Sequence, residues 1–263
     1  MRGVFMFAVV KIKENEKRII PRIKYFFKKP LPVLERVNVS TGEPYYCLEI
    51  YKEQCGESLE HIRELLGSAA DNIIFRDGFI PPESCAVRAY NPVKFRQLLL
   101  MNSTLRLLDS RAMQKENLRL CLIDGEGEYS SYTEQLVKSA SSVSVCTNNA
   151  SLYKSVCDYV YKKWGASVIM SDKLPELHSF DVIISPAFTH NKLYGNCTII
   201  GNADLKSYEI FKGSKLSVPD RLKQIIPNGV SSLDFAAALY EHCHLKELGE
   251  CRFADFMCVK IIR

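Results

Sequence analysis

The sequence predicts an α/β fold in which a doubly wound parallel sheet forms the C-terminal half and a smaller α+β domain precedes it. After residue 116, short apolar runs alternate with helical patterns, and a Gly-x-Gly turn directly follows the first of these runs. A polar, charged stretch at 110–117 separates the two halves. Continuous apolar runs of this length are typical of parallel strands that are covered on both faces. We therefore expect domains at 1–115 and 116–263.

The N-terminal half has a mixed pattern. Two β-like runs at 32–39 and 45–51 flank the turn sequence Ser-Thr-Gly-Glu-Pro, which predicts a hairpin. Apolar residues at helical spacing follow up to Gly67, and Asn91-Pro92 has the form of an N-cap and first helical residue. The expected strands are 5–12, 32–39, 45–51, 72–75 and 86–90, and the expected helices are 58–66 and 92–108.

The C-terminal half is more regular. Its predicted strands are 118–123, 142–146, 167–170, 181–185 and 197–201, with helical patterns between the first three. Beyond residue 201 we expect an amphipathic segment at 216–226, a helix at 232–245 and a terminal strand within 251–262. Parallel strands place their carboxyl ends, and the loops that follow them, at one edge of the sheet.

Composition restricts the class of protein. The chain is 47% hydrophobic, and its formal charge of +5 comes from interspersed acids and bases, so we expect a folded protein without a nucleic-acid partner. No apolar run is long enough to span a bilayer, so we expect no membrane association. Cys121, Cys146 and Cys197 lie within predicted strands and read as small hydrophobic residues, which favours a cytoplasmic location. The sequence does not determine the oligomeric state.

The glycine turn is the strongest candidate site. Gly125 and Gly127 follow the first predicted parallel strand, where glycine lets the backbone approach a phosphate and the free N–H groups point at the anion. This is the local pattern of a Rossmann-like nucleotide-binding domain. Asp124, Glu126 and Glu128 crowd the same turn with negative charge, which opposes a pyrophosphate.

The residues that follow the second predicted strand do not identify a cofactor. Thr147 and Asn148 stand where an acid would bind the ribose of NAD, and no arginine follows closely for the 2′-phosphate of NADP. We therefore name no cofactor, and NADP remains one alternative.

The layout resembles the two-domain NADP enzymes of the shikimate dehydrogenase type. The resemblance rests on a glycine turn followed by Cys146-Thr147-Asn148-Asn149, where that family ends its second strand in Asn-Arg-Thr. It implies a Rossmann-like C-terminal half and no catalytic residue, because the family's lysine and aspartate motifs have no match in residues 1–115. The run Asp124-Gly125-Glu126-Gly127 also resembles the first motif of S-adenosylmethionine methyltransferases.

Two further residues belong to the same predicted edge. Ser185 and His190 follow the strand at 181–185, where a ligand at the glycine turn would meet them. His242, Cys243, His244, Cys251 and Cys258 lack a Cys-x-x-Cys unit, so we predict no metal site.

These observations predict a protein that binds a small ligand, a nucleotide or NADP among the alternatives, in a cleft between the two domains. The proposed binding residues are Asp124, Gly125, Gly127, Thr147, Asn148, Ser185 and His190. Two alternatives stay open: a non-enzymatic Rossmann-like protein that has lost its cofactor and acts through a protein partner, and an S-adenosylmethionine-binding protein. Whether the chain is an enzyme is left undecided.

Overall fold

The computed structural model describes residues 7–13, 32–39, 44–51, 61–81, 87–110, 115–173, 177–186, 194–201 and 206–260. The chain divides into two compact units. The first takes its described residues from Met1–Phe95 and Val218–Gly249, and the second from Arg96–Ser217 and Glu250–Arg263. The described strands of each unit form one β-sheet.

The strands, in chain order, are β1 (Ala8–Lys13), β2 (Val33–Val37), β3 (Tyr45–Tyr51), β4 (Ile73–Phe75), β5 (Arg119–Ile123), β6 (Ser142–Cys146), β7 (Val168–Ser171), β8 (Val182–Ser185), β9 (Tyr194–Gly201), β10 (Lys206–Lys212) and β11 (Met257–Lys260). The α-helices are α1 (Ile62–Leu66), α2 (Val93–Ser110), α3 (Thr133–Ser139), α4 (Ala150–Trp164), α5 (Asp220–Lys223) and α6 (Ser232–His242). Short 3-10 turns cover Gly67–Asp71, Lys115–Asn117, Ser130–Tyr132, Leu177–Ser179 and Lys246–Glu250.

The sheet of the second unit has the strand order β7-β6-β5-β8-β9-β10-β11. Strands β5 to β10 pair in parallel, and β11 joins the end of the sheet antiparallel to β10. The chain starts at the central strand β5, moves outward through β6 and β7, and returns to β8 on the other side of β5. This is the doubly wound order of a Rossmann-like fold, in which ligands bind beyond the carboxyl ends of the strands where the order reverses. The predicted α/β fold is confirmed.

The central strands are apolar because both of their faces are covered. Leu120, Cys121 and Leu122 of β5 are completely buried, and so are Ile183 and Ile184 of β8. The predicted strands therefore appear in the sequence as continuous apolar runs instead of alternating ones. Helix α4 ends at Trp164, and the following Gly165 adopts a left-handed conformation with φ +64 and donates its N–H to the Tyr161 carbonyl.

The sheet of the first unit has the order β2-β3-β1-β4. Strand β1 pairs in parallel with β3 and β4, and β2 pairs antiparallel with β3, which confirms the predicted hairpin. Helix α6 packs on this sheet through Phe235, which is completely buried. Its ring meets those of Phe7 and Tyr45 edge-on, at 5.7 and 5.3 Å between centroids.

The two units differ from the predicted segments 1–115 and 116–263. In the N-terminal half of the chain, the boundary between the two units lies between Phe95 and Arg96, inside α2. Helix α6 belongs to the first unit. The polar stretch after residue 110 ends a helix but does not separate two cores. The apolar face of α6 packs through Phe235 against Phe7 and Tyr45, which lie 228 and 190 residues earlier in the sequence.

Two predicted elements are shorter in the structure. The strand expected at 86–90 is reduced to one bridge between Ala89 and Ile73. The amphipathic segment at 216–226 contains only the short helix α5, which starts after Pro219. Proline disfavours helical conformation in the residue before it, so the helix cannot extend back to Leu216, which instead pairs with Phe253. The predicted terminal strand is confirmed as β11.

Candidate functional site: the glycine turn after β5

Asp124 follows β5, and its side chain turns back onto the glycine turn. The carboxyl group is buried, with 2% of the residue exposed. Oδ1 accepts the backbone N–H groups of Gly127 and Glu128 at 2.9 and 3.0 Å, and Oδ2 accepts that of Tyr129 at 2.8 Å. The side chain of Asp124 therefore lies where the turn concentrates its N–H donors.

A fourth donor reaches Asp124 from α4. The Tyr153 hydroxyl donates to Oδ2 at 2.5 Å, and Tyr153 is itself completely buried. Burial first, and then the hydrogen bond to Asp124, raise the pKa of Tyr153 far above that of a free tyrosine. The hydroxyl consequently stays protonated and acts as the donor in this bond.

The glycines of the turn have different roles. Gly127 has φ +78, and an added Cβ would lie 2.9 Å from Leu152 Cδ1 and 3.3 Å from Leu152 Cβ in α4. Gly125 is more open, since the nearest atom to an added Cβ is Asn148 Nδ2 at 3.8 Å. The close approach of the turn to α4 therefore requires glycine at position 127. A side chain at position 125 would meet no such obstacle.

Thr147 and Asn148 join the turn after β6 to the turn after β5. Thr147 is buried and donates its N–H to the Ser171 carbonyl at 2.8 Å, while its Oγ1 accepts the N–H of Asn149 at 3.0 Å. The N–H of Asn148 donates to the Gly125 carbonyl at 3.1 Å. In this conformation Thr147 supports the backbone of the edge, and the exposed Asn148 side chain is the part that faces outward.

Ser185 is completely buried at the end of β8, beside Gly201 of β9 in the parallel register. An added Cβ on Gly201, which has φ +153, would lie 2.0 Å from the Ser185 carbonyl oxygen. The two strands are therefore in close backbone contact at the edge of the sheet. His190 lies outside the described residues.

The three acids of the turn separate into two kinds. Glu126 and Glu128 are exposed, whereas Asp124 is buried and hydrogen bonded. By charge alone, all three acids oppose a phosphate, and charge does not distinguish the one that occupies the donors. In the sequence, Tyr153 reads only as part of the apolar face of the helix that follows β6. An aspartate directly after a strand, followed by a tight turn, is the signal for this arrangement, because such side chains often accept N–H groups a few residues further on.

The residues at this turn do not fit the pyrophosphate of a dinucleotide well. A phosphate needs the N–H groups of the turn and of the following helix. Here Asp124 accepts three of the turn's N–H groups. The following α-helix begins only at Thr133, after the 3-10 turn Ser130–Tyr132. The N–H groups of Gly125 and Glu126 have no acceptor within the described part of the chain.

No three His, Cys, Asp or Glu side chains among the described residues are grouped as a metal site would require. None of the described helices combines the length and apolar character of a bilayer span.

No protein-family model and no curated protein matches this chain. Among solved structures it is similar to Δ1-pyrroline-2-carboxylate reductase from Thermococcus litoralis, solved in complex with NADH and L-proline, at 12% identity and a TM-score of 0.27, over 46% of this chain and 41% of that one. It is also similar to L-tryptophan dehydrogenase from Nostoc punctiforme, at 8% identity and a TM-score of 0.28, over 76% and 63% of the two chains.

The chain thus spans 41% and 63% of the lengths of these two proteins. The strand order of the sheet in the second unit is that of a Rossmann-like fold.

Proposed function

We propose that this chain is a Rossmann-like binding protein whose glycine turn does not hold the pyrophosphate of a dinucleotide. The observation that carries the proposal is the Asp124 carboxylate, which accepts the N–H groups of Gly127, Glu128 and Tyr129. An internal carboxylate has the charge and the acceptor oxygens of the phosphate that such a turn would otherwise bind.

The free energies of these hydrogen bonds support the proposal that the turn does not hold a phosphate. A hydrogen bond to a charged group contributes about 1.5–3 kcal/mol. Breaking even two of the three bonds from the turn's N–H groups to Asp124 would therefore cost about 3–6 kcal/mol. A micromolar ligand binds with only about 8 kcal/mol. A phosphate that displaced Asp124 would therefore lose a large part of its affinity, and one that stood beside Asp124 would meet a like charge.

A nucleotide or NADP ligand at this edge is the second candidate, and one observation favours it. The N–H groups of Gly125 and Glu126 find no acceptor among the described residues, so they are available to an anion. Glu126 is exposed on the same turn and opposes such an anion by its charge.

A thermal shift experiment distinguishes the two candidates. NADP, NAD and S-adenosylmethionine are each added at about 1 mM, where a ligand with a dissociation constant of about 10 μM would stabilise the fold by about 2.7 kcal/mol. We expect no change in the melting temperature of the wild-type protein. A rise with NADP would instead support the nucleotide-binding candidate.

The variants Glu126→Gln and Glu128→Gln make the test sharper. They remove the two exposed charges of the turn and leave Asp124 in place. If Asp124 is the obstacle, neither variant gains affinity for NADP. A gain in either would show that surface repulsion, and not the buried carboxylate, prevents binding.

A further inference from the structure

A separate pocket of about 400 Å³ lies in the second unit, between the C-terminal part of α2 and the segment around Phe253. Two arginines, Arg106 and Arg252, line it together with serine and phenylalanine side chains. We propose that this pocket binds a small organic anion, a carboxylate or phosphate attached to a flat apolar group, with Arg106 and Arg252 as its cationic contacts. The proposal goes beyond the function above and does not depend on Asp124.

Helix α2 supplies one wall. Ser103, Arg106, Leu107 and Ser110 all line the pocket, and their spacing places them on one face of the helix. The helix carries this face over two turns, so Arg106 projects from a rigid element. Sites built on regular elements hold a charged group more accurately than loops do.

The opposite wall is fixed to α2 by hydrogen bonds on either side of Arg252. Asn102 Nδ2 donates to the Cys251 carbonyl at 2.8 Å, and the N–H of Phe253 donates to Ser103 Oγ at 3.0 Å. The Arg252 carbonyl itself accepts the N–H of Ser217 at 3.1 Å. The backbone that presents Arg252 to the pocket is thus held at three successive residues.

The charge of the pocket is not balanced within the described part of the chain. No acidic side chain lines it, and neither guanidinium pairs with a described carboxylate. The carboxylate of Asp255, adjacent to the lining residues, is engaged by the N–H and hydroxyl of Ser214 and by the N–H of Lys215. Two cations that face one pocket repel each other, and a bound anion would reverse the sign of that interaction.

The remaining lining residues suit an anion with an apolar part. Ser103 Oγ accepts the N–H of Phe253, and its proton has no acceptor among the described residues, so the hydroxyl can donate to a ligand. The rings of Phe253 and Phe256 lie parallel, with 9° between their planes and 6.3 Å between centroids, and form an apolar wall. The volume lies within the range of small-molecule sites, about 300–1,000 Å³.

Isothermal titration calorimetry tests the proposal with phenyl phosphate, benzoate and inorganic phosphate as probes. The variants are Arg106→Gln and Arg252→Gln, both at exposed positions. Arg88→Gln, an exposed arginine outside the pocket, is the matched control. We expect phenyl phosphate to bind the wild-type and Arg88→Gln proteins equally, and about tenfold or more weakly to each pocket variant, since each loses a charge-assisted contact.

Three results would overturn the proposal. One is that none of the probes binds the wild-type protein. Another is that phenyl phosphate binds the pocket variants as tightly as the control. The third is that inorganic phosphate binds as tightly as phenyl phosphate, because the apolar wall would then play no part. Binding of benzoate with the same loss in both pocket variants supports the proposal with a carboxylate as the anion, and the corresponding result for phenyl phosphate supports a phosphate.

Discussion

The hydroxyl of Tyr153 donates a 2.5 Å hydrogen bond to the carboxylate of Asp124, and both residues are buried. This contact joins helix α4 to the turn after β5. The same carboxylate accepts the N–H groups of Gly127, Glu128 and Tyr129. A buried carboxylate that accepts four hydrogen bonds is satisfied without a ligand or a metal ion, and the turn is stabilised in the conformation described.

Replacing Tyr153 with phenylalanine removes only this hydroxyl. Because the acceptor is a buried carboxylate, we expect the free energy of unfolding to fall by about 1.5–3 kcal/mol, measured by urea denaturation. Tyr161→Phe is the matched control, since Tyr161 lies on the same helix and is 62% exposed. Equal stability of the two variants would show that the bond to Asp124 contributes nothing.

Gly201→Ala tests the close approach of β9 to β8. The new Cβ would lie 2.0 Å from the Ser185 carbonyl oxygen, which belongs to a buried strand and cannot move away. We expect a loss of about 3 kcal/mol or more in the free energy of unfolding. Gly165→Ala also has a positive φ but meets no atom within 4 Å, so its cost should be about 1 kcal/mol. Similar costs for the two variants would contradict the structure at this edge.

The sequence predicts the Rossmann-like sheet well, because strands buried on both faces have to be continuously apolar. It does not reveal the role of Asp124. The sequence shows the charge of Asp124 and its place directly after a strand, whereas the return of this carboxylate onto its own turn depends on backbone conformation. The bond to Tyr153 depends on how α4 lies against a turn 29 residues earlier in the chain. In the same way, the apolar face of α6 predicts burial but not which sheet it covers.

The partly buried imidazole of His242 gives a pH dependence. Burial is the main cause that lowers its pKa, and its Nε2 has no hydrogen-bond partner among the described residues. Below about pH 6.5, the pKa of an unfolded histidine, the unfolded chain therefore binds more protons than the folded one. The stability contributed by neutral His242 is present above that pH and is lost as the pH falls toward the folded pKa.

We accordingly expect the melting temperature of His242→Gln to change less between pH 7 and pH 5 than that of the wild-type protein. His178→Gln, at an exposed histidine, should keep the wild-type dependence. An unchanged pH profile in His242→Gln would show that another group is responsible.

Cys121 lies at the centre of the sheet. Burial raises the pKa of its thiol to about 12, and the residue is completely buried. Because the thiolate is the reactive form, we expect iodoacetamide at pH 8 to leave Cys121 unmodified in the folded protein, as measured by peptide mass spectrometry. Cys258, which is only partly buried, should react before Cys121. Early modification of Cys121 would mean that β5 opens locally, at a free energy far below that of global unfolding.

The turn amides themselves provide the most direct test of whether Asp124 closes the glycine turn to a dinucleotide. In an NMR titration with NADP, the resonances of the Gly127, Glu128 and Tyr129 N–H groups should keep their positions, because these three donors already bond to Asp124. Saturable shifts of these amides in the wild-type protein would contradict the account, since they would show that a phosphate takes the donors from the carboxylate.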